Sequence, residues 1–433
     1  MVVLSVFSVE RTSRIQGFYK LDMEARLKIV ADWAGLTEEE VRALSNLGNL
    51  PREVAESMIE NVVGGMTYPF AVAVNFRING RDYLVPMVIE EPSVVAAASN
   101  AAKMLREGEG IRSLAGPQEM IGQIHVVGCR APHYKAMKIL EAKQEILEEA
   151  KKSTPTIVGL GGGPRDLEVR VVDSRMGPIL IVHVIVDVVD AMGANTINTV
   201  VESIAPLVER ITGGEARLRI LSNYATRRIV RAWARASPEN VGGREIAERI
   251  VEASIIAEAD PYRAVTHNKG IMNGIIAVAL ATAQDHRALE AGAHAYAARS
   301  GVYKPLSRWE IDEDGYLVGS LEIPLQVGTV GGATRVHPIA KIALKILSVK
   351  TAKELSEVMA AVGLAQNLAA LRALVAEGIQ RGHMRLHARN LVITAGATGD
   401  LVDKIADRMV RDGKISYEYA KQLLEAYLRG EKV

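Results

Sequence analysis

The chain has 433 residues, which is too long for one hydrophobic core and predicts two or three domains. Its 52 basic and 51 acidic residues nearly cancel, and this balance argues against a nucleic-acid-binding protein or one that binds acidic membrane surfaces. The single cysteine, Cys129, excludes a disulfide framework and a multi-cysteine zinc site, and it fits a cytoplasmic protein.

The sequence predicts neither a membrane span nor a secretion signal. The longest uncharged stretch near the middle, 270–284, contains two amide side chains and is shorter than the roughly 20 apolar residues that a span needs. The apolar start, 1–9, lacks the basic residues that begin a signal peptide. We therefore expect a cytoplasmic protein that acts away from membranes and nucleic acids.

Residues 1–117 are predicted to combine helices with one β-hairpin. The segments 70–78 and 83–88 have strand patterns, and the Asn79-Gly80 pair between them is a strong hairpin-turn signal. A helix is predicted over 92–104, because Pro92 suits the first turn of a helix.

Residues 118–223 are predicted to form a compact inserted domain. The order of elements is strand, helix, strand, strand, helix, strand, which is that of the ferredoxin-like βαββαβ unit. The strands are predicted over 120–127, 167–172, 179–186 and 216–221, and the helices over 133–152 and 195–211.

Residues 224–375 are predicted to return to helices, including a long one over 355–376. The tail, 376–433, is predicted to be a small helical flap with a hinge at Gly382. The predicted fold class is therefore α+β. It consists of a large, mostly helical domain from 1–117 and 224–375, an inserted ferredoxin-like domain from 118–223, and the flap from 376–433.

Lys269 and Asp285 lie at the two ends of an apolar segment and are candidates for chemistry. Buried charges are costly unless they are paired or used, so a structural buried ion pair and a catalytic pair are both open interpretations. One continuous helix from 269 to 285 would be about 24 Å long, so the two side chains could not meet. We therefore expect Lys269 to lie on a loop that folds back, with Gly270 and Gly274 allowing the bend.

The motif Asp190-Ala191-Met192-Gly193-Ala194-Asn195 ends an apolar strand and enters a helix. Small side chains let a ligand approach the backbone closely, and the free amides of a helix start attract phosphate. The alternative is a plain turn with Asn195 as the helix N-cap. The glycine-rich segments 159–163 and 328–332 match neither a P-loop nor a Rossmann turn, so no standard dinucleotide motif is present.

Two further motifs carry titratable side chains. Glu90-Glu91-Pro92-Ser93 places carboxylates before a helix, where a role as partner of the helix dipole is the simpler interpretation. His383 and His387 have the spacing of metal ligands on one helix face, but no third ligand is evident, so we expect no metal. The neighbouring glycine favours a histidine that is delivered by a flap.

Taken together, these segments resemble 3-hydroxy-3-methylglutaryl-coenzyme A (HMG-CoA) reductase. The matching segments follow the family's order along nearly the whole chain, and the 190–195 motif and the lack of a membrane segment are similar to its second, soluble class. The segments are 60–64, 91–93, 190–195, the run around Lys269, 328–334 and 382–384.

The resemblance implies a four-electron reduction of HMG-CoA to mevalonate and coenzyme A. Two nicotinamide hydrides are used, and a mevaldyl-CoA thiohemiacetal and mevaldehyde are the intermediates. By resemblance, Lys269 stabilises the oxyanion, His383 protonates the coenzyme A thiolate, and Glu91 is the acid of the second reduction. Asp285 would hydrogen-bond Lys269 and Glu91 and set their charge states.

The resemblance also implies the binding residues. Contacts to the hydroxymethylglutaryl group are expected from Ser93, Arg263 and Asn273, and Arg263 suits its free carboxylate. Contacts to the nicotinamide cofactor are expected from Asp190, Met192, Gly193 and Asn195. The family's active site lies between subunits, so a homodimer or a larger assembly is implied, with Glu91 and Lys269 on opposite or interleaved surfaces.

Thr154 is the residue from which we predict the cofactor preference. Several NADH-preferring relatives carry an acidic residue just before the corresponding proline, whereas Thr154 stands there in this chain. Lys151 and Lys152 could reach the 2′-phosphate of NADPH, or they could only cap the helix that they end. We predict that NADPH is accepted, with a slight preference over NADH.

Three other functions stay open at this point. The same enzyme could run in mevalonate catabolism with NAD. A coenzyme-A-dependent acyltransferase or lyase would use the same lysine and histidine without a nicotinamide. A noncatalytic ferredoxin-like regulatory or assembly protein would keep Lys269 and Asp285 only as a structural pair.

Overall fold

The computed structural model describes residues 12–46, 50–376 and 379–429, and over 379–386 it describes the backbone alone. The fold mixes helices with several antiparallel sheets, which confirms the predicted α+β class. Within the described residues, buried apolar side chains form a large core, a second core inside the inserted segment, a third in the tail and a small N-terminal cluster.

The segment before the insert contains helices and the predicted hairpin. The hairpin strands pair antiparallel, with Asn79 and Gly80 at φ values of 50° and 79° in the turn, as such a turn requires. The elements are α1 (Met23–Ala34), α2 (Glu38–Ser45), α3 (Arg52–Met58), β1 (Phe70–Ile78), β2 (Arg81–Val88), α4 (Val94–Leu105) and β3 (Arg112–Ala115).

The inserted segment has the predicted βαββαβ order. Its four-stranded sheet has the order β5-β6-β4-β7, and every neighbouring pair is antiparallel. The helix predicted over 133–152 is divided at Ala142, and a short helix precedes β5. The elements are β4 (Glu119–Val127), α5 (Pro132–Glu141), α6 (Lys143–Lys152), α7 (Pro155–Gly159), β5 (Gly163–Val172), β6 (Ile179–Asp187), α8 (Ala194–Thr212) and β7 (Glu215–Ser222).

The segment after the insert is not purely helical, and the prediction of helices throughout 224–375 was wrong in this respect. Three strands join β3 in a second antiparallel sheet of order β3-β8-β10-β9. The elements are β8 (Ile229–Ala236), α9 (Pro238–Val241), α10 (Arg244–Ala259), α11 (Pro261–Ala281), α12 (His286–Ala297), β9 (Ser307–Ile311), β10 (Leu317–Pro324), α13 (Gly332–Val336), α14 (Pro338–Leu347) and α15 (Ala352–Ala376).

Helix α15 is the centre of the large core. By length and composition it could cross a membrane, but 67% of its most apolar window is buried inside the protein, against α11, α4 and α10. Small residues let α11 approach it closely, since a Cβ atom at Gly363 would lie 2.9 Å from Ile275. Helix α15 is therefore a core helix against which α11 is held.

The described part of the tail contains three helices, α16 (Ile379–Thr394), α17 (Asp400–Arg411) and α18 (Tyr417–Leu428). The turn between α16 and α17 includes Gly396 and Gly399, both with positive φ. Gly382, expected at a hinge, lies within α16. His383 lies in the same helix, and its side chain falls outside the described part of the chain.

Candidate active site

Lys269 and Glu91 form an ion pair within one chain, with 2.8 Å between Lys269 Nζ and Glu91 Oε2. The amide of Asn273 donates to the same carboxylate oxygen at 3.4 Å. Lys269 and Asn273 are four residues apart on α11, so they face Glu91 from the same side of the helix. The Lys269 side chain is 60% exposed and that of Glu91 is 35% exposed, so this is an ion pair that a ligand can reach, not a buried structural pair.

Lys269 lies in the middle of α11, and the prediction that it lies on a loop was wrong. The helix runs unbroken because Asp260 caps its first turn and Pro261 occupies its first position. Gly274 serves close packing instead of a bend, since a Cβ atom there would lie 3.0 Å from the Gln366 side chain of α15.

Asp285 does not pair with Lys269 in the same chain. Its carboxylate caps α12, accepting from the Ala288 amide at 3.1 Å, and it forms an ion pair with Arg287, also at 3.1 Å. The helix rises about 18 Å between residue 269 and its end at 281, which separates the two groups. The predicted hydrogen bonds from Asp285 to Lys269 and Glu91 are thus absent within one chain. The prediction that Glu91 and Lys269 lie on opposite or interleaved surfaces was also wrong.

Arg263 stands near the start of α11, less than two turns before Lys269. Its guanidinium is partly buried, which lowers the pKa of the group, and no carboxylate pairs with it among the described residues. A desolvated cation without a partner is costly unless a bound anion uses it. Arg263 is therefore suited to hold a carboxylate of a ligand.

Backbone strain occurs beside three of the predicted site residues. Ser93 itself has φ 74°, Val189 precedes Asp190 and has φ 54°, and Ala283 lies two residues before Asp285 and has φ 52°. A positive φ in residues other than glycine costs about 1–2 kcal/mol and persists where the surrounding structure enforces it, as it often does in active sites.

The 190–195 motif joins β6 to α8, as predicted. Gly193 is the N-cap of α8, with φ 105° and no side chain capping the helix, so the alternative of Asn195 as N-cap was wrong. Uncapped amides at the start of a long helix fit a phosphate-bearing cofactor. One oxygen of Asp190, however, accepts a hydrogen bond from the Ala352 amide at 2.7 Å, which ties the motif to the start of α15.

Residues 151–155, predicted to contact the ribose of the cofactor, are less accessible than the sequence indicates. Thr154 is only 6% exposed, and its hydroxyl has no hydrogen-bond partner among the described residues. Lys151 and Lys152 each form an ion pair at 2.6 Å with a glutamate one turn earlier on α6, Glu148 and Glu149. Such exposed pairs are weak, so an incoming phosphate could replace the glutamates.

A buried polar cluster supports α11 directly behind the ion pair, and the sequence did not reveal it. His267 is 2% exposed, and its Nε2 atom lies 2.7 Å from Ser307 Oγ on β9 and 3.1 Å from Asn367 Nδ2 on α15. Ser307 in turn donates to Asn367 Oδ1 at 2.9 Å. These bonds fix the rotation of α11 and therefore the direction in which Lys269 points.

The His267 cluster predicts a specific dependence of stability on pH. Burial, reinforced by the charge of Arg263, lowers the pKa of His267 from 6.5 to about 4. The unfolded chain then binds a proton that the folded chain does not bind. The contribution of His267 to the free energy of unfolding is therefore fully present above pH 6.5. It falls by about 1.4 kcal/mol per pH unit between pH 6.5 and pH 4.

Urea unfolding at several pH values measures this slope. The His267→Gln variant should be less stable at neutral pH, and its free energy of unfolding should fall less steeply over the same range. His133→Gln, which replaces an exposed histidine, is the control and should keep the wild-type slope. Equal slopes in all three proteins would contradict the assignment.

Comparisons with known proteins identify the family of the chain. The sequence model of the hydroxymethylglutaryl-coenzyme A reductase family matches residues 22–388. The 3-hydroxy-3-methylglutaryl-coenzyme A reductase of Archaeoglobus fulgidus is 58% identical over 414 residues, which cover 96% of this chain and 94% of the relative.

Solved structures of the enzyme from Streptococcus pneumoniae are also similar. One is 41% identical and superimposes with a TM-score of 0.82, covering 95% of this chain and 99% of the other. A second, described as the class II enzyme bound to NADPH in open conformations, has the same identity and a TM-score of 0.81 over 83% of this chain and 99% of the other. The chain therefore belongs to the hydroxymethylglutaryl-coenzyme A reductase family.

Proposed function

We propose that the Glu91–Lys269 pair is the place where this chain reduces the HMG-CoA thioester to mevalonate and coenzyme A. The observation that carries the proposal is the 2.8 Å ion pair, which is open to a ligand and lies less than two helical turns from Arg263, a cation with no carboxylate partner among the described residues. A nicotinamide cofactor, when bound, supplies hydride. The remaining chemistry belongs to side chains of the protein.

Lys269 is suited to stabilise the oxygen that becomes negative when the thioester carbonyl is reduced. Its ammonium group is fixed on a rigid helix, and a preorganised cation stabilises such an oxyanion better than water does. Glu91 touches Lys269 and can exchange a proton with the substrate oxygen, while Asn273 orients the Glu91 carboxylate. Protonation of the leaving thiolate is assigned to His383 by its position in the family motif.

Asp285 is proposed to act across a dimer. Within one chain α11 keeps it away from Lys269, yet its carboxylate is partly exposed at the start of α12. A two-fold symmetric dimer would place Asp285 of the partner subunit beside Lys269, which completes the catalytic set that the family resemblance implies. Each active site would then combine Glu91, Lys269 and Asn273 of one subunit with one carboxylate of the other.

The domain roles follow from these positions. We assign binding of HMG-CoA and dimer contacts to residues 1–117 and 224–375, because Glu91, Ser93, Arg263 and Lys269 all lie there. We assign cofactor binding to 118–223, which contains the uncapped start of α8, with Met192 and Asn195 beside it. We assign closure of the site to 376–433. With a single cysteine and this activity, the enzyme is proposed to work in the cytoplasm in mevalonate synthesis.

Arg263→Lys should weaken substrate binding more than catalysis. A lysine keeps the charge but loses the paired donors that match a carboxylate, and charge-assisted hydrogen bonds are worth about 1.5–3 kcal/mol. We expect the KM for HMG-CoA to rise roughly tenfold to a hundredfold, with kcat changed by less than about threefold. Arg244→Lys, which replaces an exposed arginine on the neighbouring helix α10, is the matched control. An unchanged KM in Arg263→Lys would contradict this role.

We further propose that the enzyme accepts NADPH and slightly prefers it to NADH. Residues 151–155 offer no acidic side chain to a ribose, and the S. pneumoniae relative, at 41% identity, was solved with NADPH. The ratio of kcat/KM for the two cofactors, measured side by side, tests the preference. A ratio above one supports it. A strong preference for NADH would mean that the ribose is recognised away from Thr154.

A further inference from the structure

Arg228 is a buried cation at the junction of the inserted segment with the large core. It lies where the chain returns from β7 to β8 and is only 1% exposed. Its guanidinium donates to the carbonyl oxygens of Ala191 and Met192, both at 3.1 Å, and of Val327 at 2.7 Å, and also to the side-chain oxygen of Gln118. One side chain thus connects three separate segments of the chain to the stretch between β7 and β8.

The charge of Arg228 is held mainly by backbone carbonyls. Burial lowers the pKa of the group to about 10, partly offset by the charges of Asp187 and Asp190, so it remains a cation at neutral pH. By contrast the neighbouring Arg227 is 40% exposed and forms an ordinary ion pair with Glu168. A cation this deeply buried is costly unless hydrogen bonds compensate the loss of water, and the carbonyls around Arg228 supply such bonds.

The structure that Arg228 fixes is the strained turn before α8. Val189 has a β-branched side chain and φ 54°, a conformation that such residues rarely adopt. The turn is held in three places. Arg228 binds its last two carbonyls, the Thr329 amide donates to Asp190 O at 2.9 Å, and the Ala352 amide donates to the Asp190 carboxylate. Since Gly193, the N-cap of α8, follows directly, these bonds set where the free helix amides lie.

The same guanidinium is connected to the corner that carries Asp285. It binds the carbonyl of Val327. The N–H of the next residue, Gly328, donates to the side-chain oxygen of Gln284 at 2.8 Å, and the carbonyl of Gly328 accepts from the side-chain nitrogen of Gln284 at 2.9 Å. Gly328 has no room for a side chain, because a Cβ atom would lie 2.6 Å from the Met192 nitrogen. Gln284 directly precedes Asp285. The start of α8 and the Asp285 corner are therefore fixed to one another.

We propose that Arg228 is a positioning residue that aligns the cofactor-binding start of α8 with the catalytic corner at Asp285. This inference rests on the proposed binding of a nicotinamide cofactor at α8. Arg228 touches neither substrate nor cofactor. It acts by keeping the Ala191 and Met192 carbonyls turned inwards, so that the amides at the start of α8 stay directed towards a phosphate.

The test uses the full-length protein with Arg228→Lys and the matched control Arg227→Lys. NADPH binding is measured at equilibrium by quenching of protein fluorescence, together with the KM for HMG-CoA, kcat and thermal unfolding. A lysine cannot bind four acceptors in separate directions, so we expect the Kd for NADPH to rise at least about tenfold. The KM for HMG-CoA should change by less than about twofold, because Arg263 and Lys269 lie on α11.

Several results would overturn the proposal. One is a Kd for NADPH in Arg228→Lys that equals that of Arg227→Lys. Another is an equal rise in the Kd for NADPH and the KM for HMG-CoA, which is what a general loss of structure produces. If Arg228→Lys does not fold, the Gln118→Met variant tests the proposal in its place. It removes one acceptor and should raise the Kd for NADPH about twofold to fivefold without affecting HMG-CoA, and no change would overturn the proposal. Failure of wild-type protein to bind NADPH would instead reject the proposed function.

Discussion

Lys269→Ala should abolish nearly all activity while leaving the protein folded. Loss of one group that stabilises an oxyanion costs about 3–4 kcal/mol of transition-state binding, so kcat should fall about 10²- to 10³-fold. The fold should survive because the Lys269 side chain is 60% exposed and its partner Glu91 keeps the contact with Asn273. Steady-state kinetics with HMG-CoA and a thermal unfolding curve measure the two parts of this prediction.

Lys341→Ala is the control for Lys269→Ala, since it removes an exposed lysine from another helix, α14. It should leave kcat and the unfolding temperature unchanged. An unfolded Lys269→Ala protein would indicate a structural ion pair, which is the noncatalytic alternative. A Lys269→Ala protein that is folded and fully active would show that another group stabilises the oxyanion.

Two inactive variants should restore activity when their subunits are mixed. If Asp285 acts across the dimer, a mixed dimer of Lys269→Ala and Asp285→Ala subunits has one active site with both residues intact. Random mixing makes half of the dimers mixed, so the preparation should recover about one quarter of wild-type activity. Co-expression of the two chains with different affinity tags, followed by purification through both tags, measures the mixed dimer directly.

A second mixture is the matched control for this experiment. Glu91 and Lys269 form their ion pair within one chain, so mixing Glu91→Gln with Lys269→Ala leaves every site with one damaged residue. That mixture should recover no activity. Recovery in the control, or none in the Lys269→Ala and Asp285→Ala mixture, would contradict the assignment of Asp285 to the partner subunit.

The sequence was most informative where a local pattern determines the structure. The hairpin at Asn79-Gly80 and the βαββαβ insert were predicted because turn chemistry and alternation need no distant partner. Strand β8 was missed although its buried and exposed positions alternate. Three of its four buried residues are alanines, whose weak strand preference conceals the pattern.

The site was less predictable because its contacts cross long distances along the chain. The glycines around Lys269 suggested a bend, whereas Gly274 is explained by the close approach of α15. Nothing in the residues near Arg228 or Gln284 indicates that each binds backbone groups far away in sequence. A polar residue next to an apolar run is the only local signal, and it is shared by many residues without such a role.

The most direct test of the proposed reaction is its stoichiometry in purified protein. With limiting HMG-CoA, loss of absorbance by NADPH or NADH is followed together with release of the coenzyme A thiol. The four-electron reduction predicts that two reduced cofactors are oxidised for each thiol released. Thiol release without cofactor oxidation, as an acyltransferase or lyase would give, or no reaction with either cofactor, would contradict it.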